Sequence, residues 1–364
     1  MQRKGQWILI SVFSLFIAGF ALAHLFLPDS ELSYSERRRL AQLPKFSAKA
    51  LVSGSFSTDF EEYMSDQFPL REGFRSIAAL TAKDVFLQRD VNGYFTANGG
   101  IFKLESELKP EQVALAVNKI NAQIAAHPEA GAIYYSVVPD KSYFTADSLG
   151  YPTMDYDELL RTLSGSISTG EYIDLFDVLS LDDYYRTDTH WRQERLLSAA
   201  QALCKAMGAP LPTQEDYTPL LIGEFQGVLA AQSALPADSD ELYILESEAT
   251  KSSTVLSAEL EGALPVYAPD KFSGMEPYDV YLHGAQAVLT IENPAADTER
   301  ELVIFRDSYG SSLSPLLIGS YSKVTLVDLR YIMGELVSDY VDFESADVLF
   351  IYSTTLLNSG GILR

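Results

Sequence analysis

Two separated segments carry residue types that could work as one nucleophilic centre. In Val303-Ile304-Phe305-Arg306-Asp307-Ser308-Tyr309-Gly310-Ser311, an apolar run delivers Ser308 at its tip, just ahead of a predicted helix. A serine so placed can attack an acyl carbon, with adjacent backbone N–H groups able to hold an oxyanion. Asp and Ser are also the residues that cap helices, so an ordinary cap is the plainer reading of the same stretch. Arg306 occupies the place of the first glycine of G-x-S-x-G, which disfavours an α/β-hydrolase elbow. In Tyr184-Tyr185-Arg186-Thr187-Asp188-Thr189-His190-Trp191, a neutral imidazole could take the serine proton and Asp188 could orient the ring. A histidine beside a helix start can equally be structural. A half-built metal site is the other alternative, but no further His or Cys cluster completes it.

Lesser candidates surround these two. Val138-Pro139-Asp140-Lys141 ends a strand pattern, where Lys141 reads as a solvated turn residue or a partner for the site. Gln226-Gly227 could present a backbone N–H to an oxyanion or form a plain turn. Arg330, two residues after Asp328, could bind substrate or buttress a carboxylate. Trp191 and the Tyr184-Tyr185 pair either line a sugar surface or pack the catalytic loop.

The elements that would bring such residues together are readable from periodicity. Short apolar runs rich in β-formers recur at Ala132 to Val138, Tyr172 to Phe176, Leu302 to Phe305, Val324 to Val327 and Val348 to Tyr352. Helical patterns at Pro110 to Ala126 and Gln193 to Met207 lie among them, with Pro110 suited to a first turn. Alternation of this kind predicts a three-layer α/β sandwich around a mostly parallel sheet, with ligands beyond the carboxyl ends of the strands. The less regular stretch 214–294 reads as a long insertion forming part of the site wall. Nearer the N-terminus, helices are expected from about Phe56 to Phe68 and from Ser76 to Leu87. The sequence thus divides into an anchor over 1–28, a membrane-proximal linker and helical segment over 29–100, and a catalytic domain over 101–364, without internal repeats.

Composition narrows the function classes. The 364 residues are 47% hydrophobic and 12% aromatic, which fits a packed globular chain rather than a disordered one. Fifty acidic residues against 27 basic ones give a formal charge of −23, which repels nucleic-acid phosphates. The single cysteine, Cys204, excludes an intrachain disulfide framework or a thiolate zinc site and reads as an apolar filler. No metal or cofactor is expected. Arg3 and Lys4 precede an uncharged run from Trp7 to Leu27, long enough to cross a bilayer. The run continues past the small-x-small sequence Ala21-Leu22-Ala23, so it is read as an uncleaved anchor in the cytoplasmic membrane, with the bulk of the chain outside the cytoplasm. Arg37, Arg38 and Arg39 oppose that orientation, but long domains translocate largely regardless of charge.

Taken together, Thr187-Asp188-Thr189-His190-Trp191, Asp307-Ser308-Tyr309 and Asp328-Leu329-Arg330 resemble the DHHW protein family. That family is similar to the alginate O-acetyltransferases of the AlgJ and AlgX type. Glu36-Arg37-Arg38-Arg39-Leu40, Asp66-Gln67-Phe68-Pro69-Leu70-Arg71 and Val138-Pro139-Asp140-Lys141 extend the likeness over roughly residues 36 to 355. Thr189 stands where the family's first histidine would be. The resemblance implies an SGNH-hydrolase-like fold with Ser308 as nucleophile, His190 as base and Asp188 as its orienter, the Asp-x-His loop preceding the serine. It further implies acetyl transfer to a polysaccharide at the cell surface, served by a polytopic membrane-bound acyltransferase that supplies the acetyl group. A carbohydrate acetylesterase and a noncatalytic glycan-binding or scaffold subunit are the alternatives.

Overall fold

The computed structural model describes residues 2–33 and 36–364. It comprises two compact units, one of Met1–Asn92 with Ala230–Pro236 and one of Gly93–Leu229 with Ala237–Arg364.

The first unit opens with helix α1 (Gln2–Phe26), whose stretch Gly5–Phe26 is long and apolar enough to cross a membrane. A two-residue ladder joins β1 (Leu32–Ser33) to β2 (Arg38–Arg39). Helices α2 (Ala48–Ser53), α3 (Ser55–Asp66) and α4 (Arg71–Leu80) follow. The second predicted helix thus begins earlier than Ser76. Pro69, which has no N–H, and Leu70 in the left-handed region at φ 59° end the preceding turn, and α4 starts at once. Beyond Leu80 a π-helical turn, Thr81–Val85, carries the chain towards Leu87.

In the second unit, a hairpin of β3 (Tyr94–Ala97) and β4 (Gly100–Lys103) leads into α5 (Pro110–Ala126), with Pro110 in its first turn. The apolar face of α5 is Val113, Ala116, Val117 and Ile120, a helical spacing that seats it on the sheet. That sheet has seven strands in the order β6-β5-β13-β11-β12-β10-β9. Its five parallel members are β5 (Ile133–Val138), β6 (Glu171–Ile173), β11 (Glu301–Arg306), β12 (Lys323–Val327) and β13 (Asp347–Ser353). Strands β9 (Thr254–Ser257) and β10 (Val288–Glu292) close one edge antiparallel. Both faces are covered: Ile304, Leu326 and Ile351 pack towards Leu203 and Cys204 of α7 (Leu197–Ala206), while Val303, Phe305 and Phe350 pack with α5 and with Leu159 and Leu163 of α6 (Tyr156–Ser166). This is the expected three-layer α/β sandwich with a mostly parallel sheet. Cys204 is buried in it.

The stretch 214–294 is more ordered than an irregular insertion. It builds the hairpin of β7 (Thr218–Phe225) and β8 (Asp240–Glu246) and supplies both antiparallel edge strands of the main sheet. Strand β6 is shorter than its apolar run because the Asp174 carboxylate accepts the Phe176 N–H, turning the chain out of the sheet.

Candidate active site

Strands β5, β11, β12 and β13 run parallel, so Asp140, Ser308, Asp328 and Thr354 all emerge along one edge of the sheet. At the tip of β11 the Asp307 carboxylate accepts N–H bonds from Tyr309 (3.1 Å) and from Ser353 at the end of β13 (2.8 Å). Asp307 thus holds the turn, and Ser308 makes no side-chain cap bond to the short helix Tyr309–Leu313. Its hydroxyl meets His190 instead, with Oγ 2.7 Å from Nε2. Gly310 lets this helix sit against Arg306, since a Cβ there would lie 2.6 Å from the Arg306 Cβ.

The facing loop is pinned from many directions. His190 Nδ1 lies 2.7 Å from Asp188 Oδ1, which also accepts the His190 backbone N–H at 3.0 Å. The other carboxylate oxygen accepts the N–H of Val228 at 2.8 Å. With Nδ1 donating to Asp188, Nε2 is left as the acceptor for the serine proton. One residue back, Asp240 accepts from the backbone N–H groups of Arg186 and Thr187 and from the Thr187 hydroxyl. Asp188 and Thr187 are fully buried.

Lys141 is not the solvated turn residue its sequence suggests. It is buried, and its ammonium donates to the carbonyls of Ile101 (2.8 Å), Arg186 (3.0 Å) and Asp188 (3.0 Å), 4.9 Å from the Phe102 ring centroid. Burial lowers its pKa to about 8, opposed by the charges of Asp188 and Asp240. The preceding Asp140 is also buried, which raises its pKa against hydrogen bonds from Tyr156 and Thr354.

The remaining candidates take supporting positions. The Gly227 N–H is directed at Thr187 Oγ1 (2.8 Å) rather than towards an open oxyanion position. Gln226 donates its side-chain amide to the Ala237 carbonyl. Tyr309 donates its hydroxyl to the Thr189 carbonyl at 2.8 Å, clamping the histidine loop to the serine helix. Trp191 is fully buried and donates its indole N–H to Ser312 Oγ and to the Tyr309 carbonyl. Tyr184 and Tyr185 are buried as well and pack the loop, and both also border the cleft described below. Arg330 grips Asp328 with two bonds, 2.9 and 2.6 Å, while Arg306 approaches the same carboxylate at 3.6 Å. Arg330 is therefore the buttress of a buried carboxylate.

Residues that sequence reasoning missed complete the surround. Tyr278 stacks face to face on His190, with ring centroids 3.9 Å apart and planes 13° from parallel, and its hydroxyl is 2.6 Å from Ser312 Oγ. Asp240 and Ser312 were also overlooked. Only Asp240 carried a signal, as an acid opening an alternating strand. Among the described residues no group of His, Cys, Asp and Glu has metal-ligand geometry. A cleft of about 450 Å³ is lined by Lys141, Arg186, Arg192 and Arg195 together with Asn98 and Tyr184, but not by Ser308 or His190.

These features define a three-layer α/β protein with a Ser-His-Asp constellation at the carboxyl edge of its sheet. The fold is similar to that of a DHHW family protein from Eubacterium siraeum DSM 15702, at a TM-score of 0.63 and 21% identity over 75% of this chain and 95% of that one. It is also similar to Bacillus cereus PatB1, solved with a sulfonyl adduct, at 0.58 and 18% over 72% and 97%, and to PatB1 without it, at 0.57 and 18%. At 18 to 21% identity the likeness to these structures is one of fold. No family model and no curated protein matches the sequence.

Proposed function

We propose that the chain is a membrane-anchored, extracytoplasmic O-acetyltransferase that acetylates a cell-surface or exported polysaccharide through an acetyl-Ser308 intermediate. The observation that carries this reading is the continuous chain from Asp188 Oδ1 through His190 to Ser308 Oγ, with both links at 2.7 Å. In the first half-reaction Ser308 Oγ adds to the acetyl carbonyl while its proton passes to His190 Nε2. Collapse breaks the bond to the donor's leaving oxygen or sulfur, which takes the proton back from the imidazolium. In the second half-reaction a glycan hydroxyl gives its proton to Nε2, its oxygen takes the acetyl group, and Ser308 is reprotonated. The donor is proposed to be presented by a polytopic membrane-bound acyltransferase.

The supports are the site geometry, the α/β fold shared with the DHHW protein and PatB1, and an N-terminal helix able to span a membrane. Incubation with a chromogenic acetyl ester should leave one acetyl group on the peptide carrying Ser308, detected by mass spectrometry, and adding an oligosaccharide should divert acetyl from water to sugar. A fully active Ser308→Ala variant would overturn the mechanism. An acetyl-enzyme that yields only acetate with every acceptor would make the protein an esterase, and a folded protein that never acquires acetyl would make it a noncatalytic subunit. Protease added to intact cells or protoplasts should digest the catalytic unit, and full protection would sink the topology.

A further inference from the structure

Helix α4 and the turn after it carry an apolar face that is largely exposed among the described residues. Leu70, Phe74 and Ile77 recur at helical spacing on one side of α4, and Val85, Phe86 and Leu87 follow. Leu70 is 75% exposed, Ile77 62%, Phe86 71% and Leu87 78%. The opposite side is charged and internally paired. Arg71 and Arg75 both reach Glu36, Arg75 also bonds Glu72, and Arg75 donates to the Ala231 and Gln232 carbonyls. This is the division expected of a helix lying in an interface between water and an apolar phase.

The depth of that interface can be read from α1. The uncharged run Trp7 to Leu27 is about 32 Å long as a helix, matching the hydrocarbon core, which sets Leu27 at its outer boundary. Phe20 lies seven residues earlier (27 − 20), about 10 Å deeper along the axis. There Phe20 stacks on Phe68, with centroids 5.3 Å apart and planes 3° from parallel, and meets Phe74 edge-on at 5.6 Å. Nearer the boundary, His24 meets Tyr63 at 5.5 Å. Side chains that contact a spanning helix below the membrane boundary must lie at the same depth.

We infer that the α4 segment, from Phe68 to Leu87, is a monotopic membrane element whose apolar face sits among the acyl chains of the leaflet that α1 exits. The partner of this surface is lipid. The inference rests on α1 persisting as a membrane span and on nothing in the catalytic reading. Its function is to give the protein a second, non-spanning attachment that holds the first unit on the membrane surface.

The test uses the full chain in phosphatidylcholine and phosphatidylglycerol vesicles with lipids brominated midway along the acyl chains. A Trp7→Phe parent leaves the buried Trp191 as reporter of an intact core, and Ile77→Trp, Phe86→Trp and Glu62→Trp are added singly to it. Carbonate washing first establishes that the parent stays in the membrane. Bromolipid should quench the added emission of Ile77→Trp and Phe86→Trp at least about twofold, leaving Glu62→Trp and the parent almost unchanged. Retained protein whose residue-77 and residue-86 indoles answer to aqueous acrylamide but not to bromolipid would overturn the inference alone. Release by carbonate would overturn it together with the anchor. Unchanged Trp191 emission in each variant shows that the substitutions have not unfolded the chain.

Discussion

The two sides of the candidate site are held in different ways. Ser308 is positioned almost locally: β11 delivers it, Asp307 ties the turn to β13, and no distant loop is needed. The Asp188–His190 loop has no regular structure of its own and depends on remote segments. Lys141 follows β5, Gly227 and Val228 follow β7, Asp240 opens β8, and Tyr278 comes from a 3-10 turn. A nucleophile on a strand tip is stable wherever the sheet is stable. A base on an irregular loop is only as well placed as the tertiary bonds around it, so supporting substitutions should damage the histidine side more than the serine side.

The largest expected effect comes from the triad itself. Ser308→Ala, His190→Ala and Asp188→Asn should each lower turnover of an acetyl ester by at least ~10²-fold, and double variants should lose little more than the worse single one. Additive losses would show that the two sides do not act as one unit. Next comes Gly227→Ala. Its new methyl would lie within 2.5 Å of the Asp188 N and Cα atoms, contacts with backbone that no side-chain rotation relieves. The variant should lose at least about tenfold in turnover while Gly319→Ala, whose Cβ meets nothing closer than 4.0 Å, keeps wild-type rates. Equal rates for the two would place the Asp188 loop outside the catalytic unit.

The same asymmetry explains what could be read in the sequence. The Ser308 turn follows the four-residue apolar run Leu302 to Phe305, and strand tips are where this architecture puts its groups, so residue type and place agreed. Asp188 and His190 share one short segment, and their chemistry could be proposed without knowing the fold. Tyr278 and Asp240 lie in the stretch 214–294, where Pro, Asp and Tyr interrupt any period. Nothing local marks Tyr278 as the ring that covers His190, because that contact exists only once β8 and the β10 edge have assembled. Lys141 was misread for a related reason: a lysine after Pro-Asp looks solvated until the hairpin of β3 and β4 closes over it, contributing the Ile101 carbonyl and the Phe102 ring. Tyr184, Tyr185 and Trp191 were visible as an aromatic cluster, but composition does not distinguish a packed loop from a sugar platform.

A smaller effect is expected at Tyr278, which touches the base rather than the reacting atoms. Tyr278→Phe keeps the ring over His190 and loses only the contact with Ser312, so turnover should fall less than about threefold. Tyr278→Ala removes the stack and leaves a cavity, and should lower kcat about tenfold with little change in KM. A rise in KM at constant kcat would assign Tyr278 to the acceptor site instead of to positioning the base.

A few-fold loss of turnover is expected from Lys141→Met, which removes a tether to carbonyls but leaves Asp240, Gly227 and Val228 in place. Its effect on stability against pH should be larger and has a definite sign. Burial holds the Lys141 ammonium at a pKa of about 8, whereas its ordinary value is 10.5. Between those values the unfolded chain keeps the proton that the folded chain has lost, so the unfolded state binds more protons and stability rises with pH. The destabilising cost of the buried charge is fully present below pH 8 and is relieved on going up to about 10.5. Relative to Lys141→Met, which has nothing to titrate there, the wild type should therefore gain about 3 kcal/mol across that window. Urea unfolding of both proteins at pH 7, 8, 9 and 10 measures the difference. A wild-type advantage that stays flat over the series would mean that the ammonium beneath the Asp188 loop keeps its ordinary affinity for the proton, and that the loop rests on a permanent charge instead of one that the fold disfavours.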